Sequence, residues 1–161
     1  MEIGNRRLRY EDGKFYSRAF MNGKETKKEI WNEMTFKIDK GYLTTQIKIN
    51  TKYRKIGYHR LIYKFHHPDW DILDTSKNNQ IDHINGNPLD NRIENLRCVT
   101  NQENGFNRTT AKGYTKTRCG NYQSQIMQDG KRIYLGTYNT TEEARDAYLK
   151  GKEKYHVIQS R

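Results

Sequence analysis

Residues 81–104 read IDHINGNPLDNRIENLRCVTNQEN. The stretch opens on an apolar residue, Ile81, followed by an adjacent carboxylate and imidazole, Asp82 and His83. Asn85-Gly86-Asn87-Pro88 comes next. Gly and Asn tolerate positive φ and Pro blocks continuation of a strand or helix, so this is a turn. Asn91 and Asn95 lead into a short apolar strand, Leu96-Arg97-Cys98-Val99. Thr100 is then a good N-cap, with Glu103 three residues on, the pattern of a capping box. The order predicted is strand end, loop, strand and helix start. Asp82 and His83 sit on the first piece, and Asn104 sits on the helix.

Those three side chains suggest a chemistry. A carboxylate oxygen and an amide oxygen are hard ligands, suited to Mg²⁺ or Mn²⁺. Mg²⁺ takes one or two protein ligands and fills the rest of its shell with water and phosphate oxygens, which Asp82 plus Asn104 would satisfy. A neutral imidazole, with its ordinary pKa of roughly 6.5, suits a general base near neutral pH. Successive side chains on a strand point to opposite faces, so a twist must bring the His83 ring round to a phosphate. The plain alternative is that Asp82 caps a turn and His83 is an ordinary half-buried histidine.

The whole stretch resembles the ββα-metal (His-Me finger) core of the HNH endonucleases, in the branch found in phage and intron homing enzymes. The likeness is carried by the apolar-Asp-His pair, the Asn-Gly-Asn loop, the Asn-Leu-Arg strand and the Asn-bearing helix. It implies a catalytic His83 acting as general base and Asn95 bracing the loop between the strands. It also implies a divalent metal on Asp82 and Asn104. Asn104 stands where many relatives have a histidine, which favours Mg²⁺, with Mn²⁺ able to substitute. Asn101 and Asn107 stay open as alternative helix ligands.

Upstream, residues 6–58 read as short strands. Asp12-Gly13 is a hairpin signal between Arg6-to-Tyr10 and Lys14-to-Arg18, and Asn22-Gly23 marks another turn. Residues 41–49 alternate loosely, and residues 52–58 are placed to pair back on them. This strand-rich leader resembles the one that precedes the core in many phage HNH proteins, and its basic side chains are candidate DNA-backbone contacts. The period then changes: Leu61, Ile62 and Phe65 recur at helical spacing, and Pro68 ends the helix. His59 resembles the histidine of a His-Arg-Leu element whose helix packs under the core; a His59–His66–His67 metal cluster is the weaker alternative. Residues 69–79 form a polar loop.

Downstream, residues 106–112 read as a polar linker. Strands follow at 113–118, 122–127 and 131–136, with turns at Cys119-Gly120-Asn121 and Asp129-Gly130. Thr140 or Thr141 caps a helix whose first turn carries Glu142 and Glu143, where the helix dipole favours anions. This segment resembles the APETALA/ethylene-response-factor type of DNA-binding domain, through Tyr134-Leu135-Gly136-Thr137-Tyr138, Thr141-Glu142-Glu143-Ala144 and Ala147-Tyr148. In that family the sheet enters the major groove. By strand position the implied contacts are Lys116, Arg118, Tyr122, Gln125, Arg132 and Tyr134. Tyr replaces the usual Trp at Tyr122 and Tyr134, so base preference does not transfer.

Composition agrees with a polyanion partner. Lys and Arg number 30 against 19 acidic residues, a formal charge of +11, which suits an extended contact with nucleic acid. Hydrophobic content is only 33%, so the 12 Tyr must supply much of the packing. The two cysteines, Cys98 and Cys119, have no CxxC companion, so neither a structural zinc nor a disulfide framework is expected. No apolar run approaches membrane-spanning length, and the expectation is a soluble, intracellular protein, in the host cytoplasm if phage-encoded.

The sequence thus predicts an α+β chain. A nuclease domain spans 1–105 (core 59–105), followed by the linker and, over 113–161, a three-stranded antiparallel sheet on one helix. The expected activity is site-preferring, homing-type hydrolysis of double-stranded DNA with one divalent metal, nicking as a monomer, with a dimer on DNA left open. The alternatives are a DNA-binding regulator with a decayed nuclease core and a restriction-type double-strand nuclease.

Overall fold

A computed structural model describes residues 1–21, 24–107 and 110–158. The predicted Asn22-Gly23 turn therefore lies outside the described residues, as do Arg108 and Thr109 of the predicted linker. The chain is α+β, with several antiparallel sheets and few helices. It divides into two compact units, Met1–Cys98 and Val99–Arg161.

The first unit opens with β1 (Glu2–Ile3), β2 (Arg6–Glu11), β3 (Lys14–Arg18), β4 (Phe20–Met21), β5 (Lys24–Glu25) and β6 (Trp31–Glu33). Strands β1, β2, β3 and β6 form one antiparallel sheet in that order, and β4 pairs with β5. Asp12 and Gly13 both have positive φ, 49° and 74°, the geometry a tight two-residue hairpin demands. A second antiparallel sheet follows: β7 (Lys37–Asp39), β8 (Tyr42–Ile49) and β9 (Lys52–Gly57). Helix α1 (Tyr58–His66) leads on from β9 and stops before Pro68. Strand β10 (Gln80–His83) then pairs with β11 (Leu96–Val99).

Few aliphatics are available, and the core shows how rings make up the difference. Ile3, Leu8, Ile47, Ile49, Ile56, Leu61, Ile62, Ile81 and Leu96 are buried around Phe15. Tyr10 lies 4.6 Å from Phe15 and Tyr58 lies 5.5 Å from it, edge-on, with Phe36 4.8 Å from Tyr58. The loop over 67–79 is tied down by its carbonyls. Arg60 donates to the carbonyls of Ile72, Asp74 and Asn79 at 2.8–3.2 Å and stacks on Trp70. Buried Asn79 donates to Asp71 and Asp74 and accepts from the Trp70 indole.

The second unit holds α2 (Asn101–Phe106), β12 (Tyr114–Lys116), β13 (Tyr122–Gln128), β14 (Lys131–Tyr138) and α3 (Thr141–Tyr155). The three strands form an antiparallel sheet in sequence order, and α3 packs on it through Ile126, Ala144 and Tyr148. Both helices start on capping boxes, Thr100 with Glu103 and Thr140 with Glu143. Of the two predicted caps for α3, Thr140 is the one used. Gly113, at φ +79°, is required twice over: its backbone is left-handed, and an added Cβ would collide with the Tyr148 ring. The sequence draws its boundary at 106–112, whereas compactness divides the chain after Cys98 and counts α2 with the second unit. Two contacts account for that: Gln102 donates to Asp129 at 3.0 Å, and Phe106 stacks on His156 with ring centroids 3.8 Å apart.

Candidate active site

Asp82 and His83 close strand β10, and both are buried, at 6% and 5% exposure. A carboxylate and an imidazole hidden side by side each need compensating partners. Their partners differ, as opposite strand faces require. One oxygen of Asp82, Oδ2, accepts from Arg97 Nε at 3.0 Å and Nη2 at 2.8 Å. His83 Nε2 lies 3.1 Å from Asn91 Oδ1. An amide oxygen only accepts, so Nε2 carries the ring proton and Nδ1 is the basic nitrogen.

The loop between β10 and β11 is held by a polar lattice centred on Asn95, which is buried. Asn95 Nδ2 donates to Asn85 Oδ1 at 3.0 Å and to the Asp90 carbonyl at 2.7 Å, while its Oδ1 accepts from the Asn85 amide at 3.0 Å. The Asn95 carbonyl accepts from Ile84. Asp90 joins the lattice by accepting from Asn85 and from both Arg92 Nε and Nη2, and the Arg92 guanidinium holds its carboxyl well below the usual carboxylate range. This loop sets where the strand end carrying His83 stops.

Two further rings flank His83. The His59 ring, from the first turn of α1, stands edge-on 5.2 Å away, and Tyr42, from the start of β8, lies 5.9 Å away. His59 and Tyr42 also touch, at 5.5 Å. Burial, with His83 close by, pushes the His59 imidazole down to about 3, so that ring is neutral. The other two histidines of the proposed cluster go elsewhere: His67 stacks on Tyr63 and His66 meets Phe65. Among the described residues no three His, Cys, Asp or Glu side chains are grouped to hold a metal. Asp82 is a hard carboxylate of the donor type that Mg²⁺ accepts, and it is paired with Arg97.

Against this geometry, residues 57–106 match the HNH endonuclease family. These residues are an HNH endonuclease domain. A protein of Acanthamoeba polyphaga mimivirus, named as an uncharacterized HNH endonuclease, is 35% identical over 71 residues. That alignment covers 42% of this chain and 38% of the viral protein, so the chain spans well under half of the relative's length. No solved structure matches the chain.

Asp82 and His83 have partners that the sequence alone does not mark. In the sequence Arg97 reads only as part of a strand, without a role. Its signal was available: a charge in an otherwise apolar four-residue strand needs a partner close by. Asn91 and Tyr42 had no comparable signal. The family resemblance gives His59 a helix-packing role, and the ring packs against His83 itself.

The helix asparagines and the sheet candidates belong to the second unit. Asn101 is exposed, Asn104 is half-buried within α2, and Asn107 caps its C-terminal end. The six sheet candidates do not share a face. Ser124 and Ile126 are fully buried toward α3, so alternation turns Gln125 outward, and its register partner Tyr134 with it; Arg132 pairs with Met127 on that same face. Lys116 pairs with Tyr122, which has the parity of Ser124 and packs its ring on Tyr114. Arg118 lies beyond the end of β12. Strand position alone cannot show this, because a face is fixed only once one buried residue per strand is known. Thr115, Gln123, Met127 and Thr137 are the outward residues that reading the sequence passed over.

Proposed function

We propose that this protein is a site-preferring, homing-type endonuclease that nicks double-stranded DNA as a monomer, with His83 as general base. One observation carries the reading: Asp82 and His83 lie buried together at the end of β10, each fixed by its own polar partner, inside the HNH domain.

Hydrolysis then runs as follows. A water at His83 Nδ1 gives its proton to the ring while its oxygen bonds to phosphorus. The opposite P–O3′ bond breaks in line, leaving a 5′-phosphate, and a 3′-hydroxyl once the departing oxygen is protonated from solvent. Asn91 holds the tautomer, and Asn95 holds the loop that ends the strand. Asp82 would hold the metal from the HNH domain's first strand, and the family resemblance adds Asn104. Mg²⁺ or Mn²⁺ bound there would supply positive charge to the transition state and the leaving oxygen. The C-terminal sheet, in the manner of an APETALA/ethylene-response-factor domain, supplies the site preference.

Supercoiled plasmid incubated with protein and Mg²⁺ should convert to open circles, and His83→Ala should leave it closed while still retarding DNA. The Arg97 ion pair on Asp82 favours a second reading, a DNA-binding regulator whose core no longer cuts. Under it, wild-type protein retards the plasmid and never opens it. Nicking rate against metal concentration for Asn101→Ala, Asn104→Ala and Asn107→Ala assigns the helix ligand: only its loss should demand more metal.

A further inference from the structure

Gly57 precedes α1 with φ −75° and ψ 144°, extended backbone open to any residue. Conformation therefore does not explain the glycine, and space does. A Cβ at this position would stand 2.9 Å from Nδ1 and 3.1 Å from Nε2 of His59, and nearer still to Cε1. The His59 imidazole lies in the volume a side chain at 57 would fill. That same ring meets His83 edge-on at 5.2 Å and Tyr42 at 5.5 Å, so three rings close on one another. His59 Nδ1 is buried and has no hydrogen-bond partner among the described residues. Packing against Gly57, Tyr42 and His83 is thus what holds the ring from that side. A buried polar nitrogen left unpaired is costly, about 1–3 kcal/mol, and calls for a reason.

We propose that Gly57 and His59 are positioning residues for His83. The Asn91 hydrogen bond fixes the direction of Nε2, and the rings of His59 and Tyr42 limit rotation of the imidazole about that direction. The bare Gly57 is the seat that lets His59 lie close enough to do so. This rests on His83 as general base.

The test is the single-turnover nicking rate of full-length protein at saturating concentration, with DNA affinity and melting temperature measured in parallel. Gly57→Ala should lower the rate about 10- to 100-fold, the cost of misplacing a reacting group by about an ångström. His59→Ala should do the same, and DNA affinity should stay unchanged in both. The double variant should be no slower than His59→Ala alone, because the three atoms nearest an added Cβ at 57 all belong to that ring. Multiplication of the two losses in the double variant, or a wild-type rate for Gly57→Ala, overturns the proposal. Should Gly57→Ala unfold, His59→Phe decides: a ring without nitrogens should restore most of the rate lost in His59→Ala, and equal rates for the two overturn the proposal. His83→Ala separates this from the reading beneath it. If His83→Ala nicks at the wild-type rate, the general base is wrong; if it is inactive while Gly57→Ala and His59→Ala are unimpaired, only the positioning role is wrong.

Discussion

The HNH domain and the C-terminal sheet are both rich in polar residues, and they carry them in opposite ways. Asp82, His83 and Asn95 are buried, and the less buried Arg97, Asn91, Asn85 and Asp90 interlock around them, each bonded to a named neighbour. On the outward face of the C-terminal sheet, Arg132 and Tyr134 stand exposed. The contrast fits the two tasks proposed for these regions. Chemistry on a phosphodiester needs groups fixed in place, and burial with full pairing fixes them. Contact with a polyanion needs reach and charge, and Arg132 on the exposed sheet face offers one such group.

The largest expected difference between the two regions is in rate. Removing the proposed base by His83→Ala should lower the nicking rate by about 10²- to 10⁴-fold, the usual range for general acid–base catalysis. DNA affinity, measured by mobility shift, should scarcely change, because phosphate contacts are spread over many Lys and Arg. An equal loss of affinity would erase the distinction drawn above.

Next in size is the cost of breaking the buried lattice. Asn95→Ala strips partners from the Asn85 amide, the Asn85 side-chain oxygen and the Asp90 carbonyl together. Each buried group left unpaired costs about 1–3 kcal/mol, and part-exposure here favours the low end. Urea unfolding should register a loss of about 2–4 kcal/mol for this substitution, summing such penalties. Asn95→Asp keeps the acceptor for the Asn85 amide but sets a carboxylate oxygen against the Asn85 side-chain oxygen and the Asp90 carbonyl, so it should cost at least as much as alanine.

The contrast also explains what the amino-acid order revealed. The apolar-Asp-His pair, the Asn-rich turn and the capping box at Thr100 are local patterns, and all three are read directly from neighbours in the chain. The sheet-and-helix layout of residues 114–155 was legible for the same reason: Asp129-Gly130 and Thr140 with Glu143 are short-range signals. Tertiary partners are not local. Tyr42 reaches His83 across 41 positions of sequence, and nothing in the intervening chain announces it. The strand Trp31–Glu33 has no bounds of its own within the strand-rich leader, because its three residues carry no alternation to detect.

A smaller effect should appear in the pH dependence of the buried site. His59 is held down to about 3 by burial, with His83 nearby, while an unfolded histidine titrates near 6.5, roughly. The unfolded chain therefore binds the extra proton first. Stability from neutral His59 is complete above about pH 6.5 and declines as pH falls from there toward 3, by at most about 1.4 kcal/mol per pH unit for one proton. Chemical denaturation between pH 7 and 4 should show that slope, and His59→Phe should flatten it. An unchanged slope would mean that other carboxylates or histidines set the acid limit.

The smallest effect bears on the exposed face, and it tests the sheet's two sides against each other. Gln125, Arg132 and Tyr134 share the outward face, whereas Lys116 and Tyr122 carry the parity of the buried Ser124 and Ile126. If DNA lies on the outward face, Arg132→Ala should remove one phosphate or base contact, and a lost phosphate contact lowers the log–log salt slope by about 0.9. Were the Arg132 contact to a guanine edge, the salt slope would hold and discrimination at one base pair would fall instead, by about 1–3 kcal/mol. Tyr122→Ala should leave the slope and the site choice alone and lower the melting temperature, because its ring packs on Tyr114. Lys116→Ala serves as the edge control: it is exposed, yet it pairs across the sheet with Tyr122 rather than with the outward set. Equal changes in salt slope for Lys116→Ala and Arg132→Ala would show that charge alone, and not one face of the sheet, governs binding. A change confined to Arg132, Gln125 and Tyr134 would make that face the one that reads DNA.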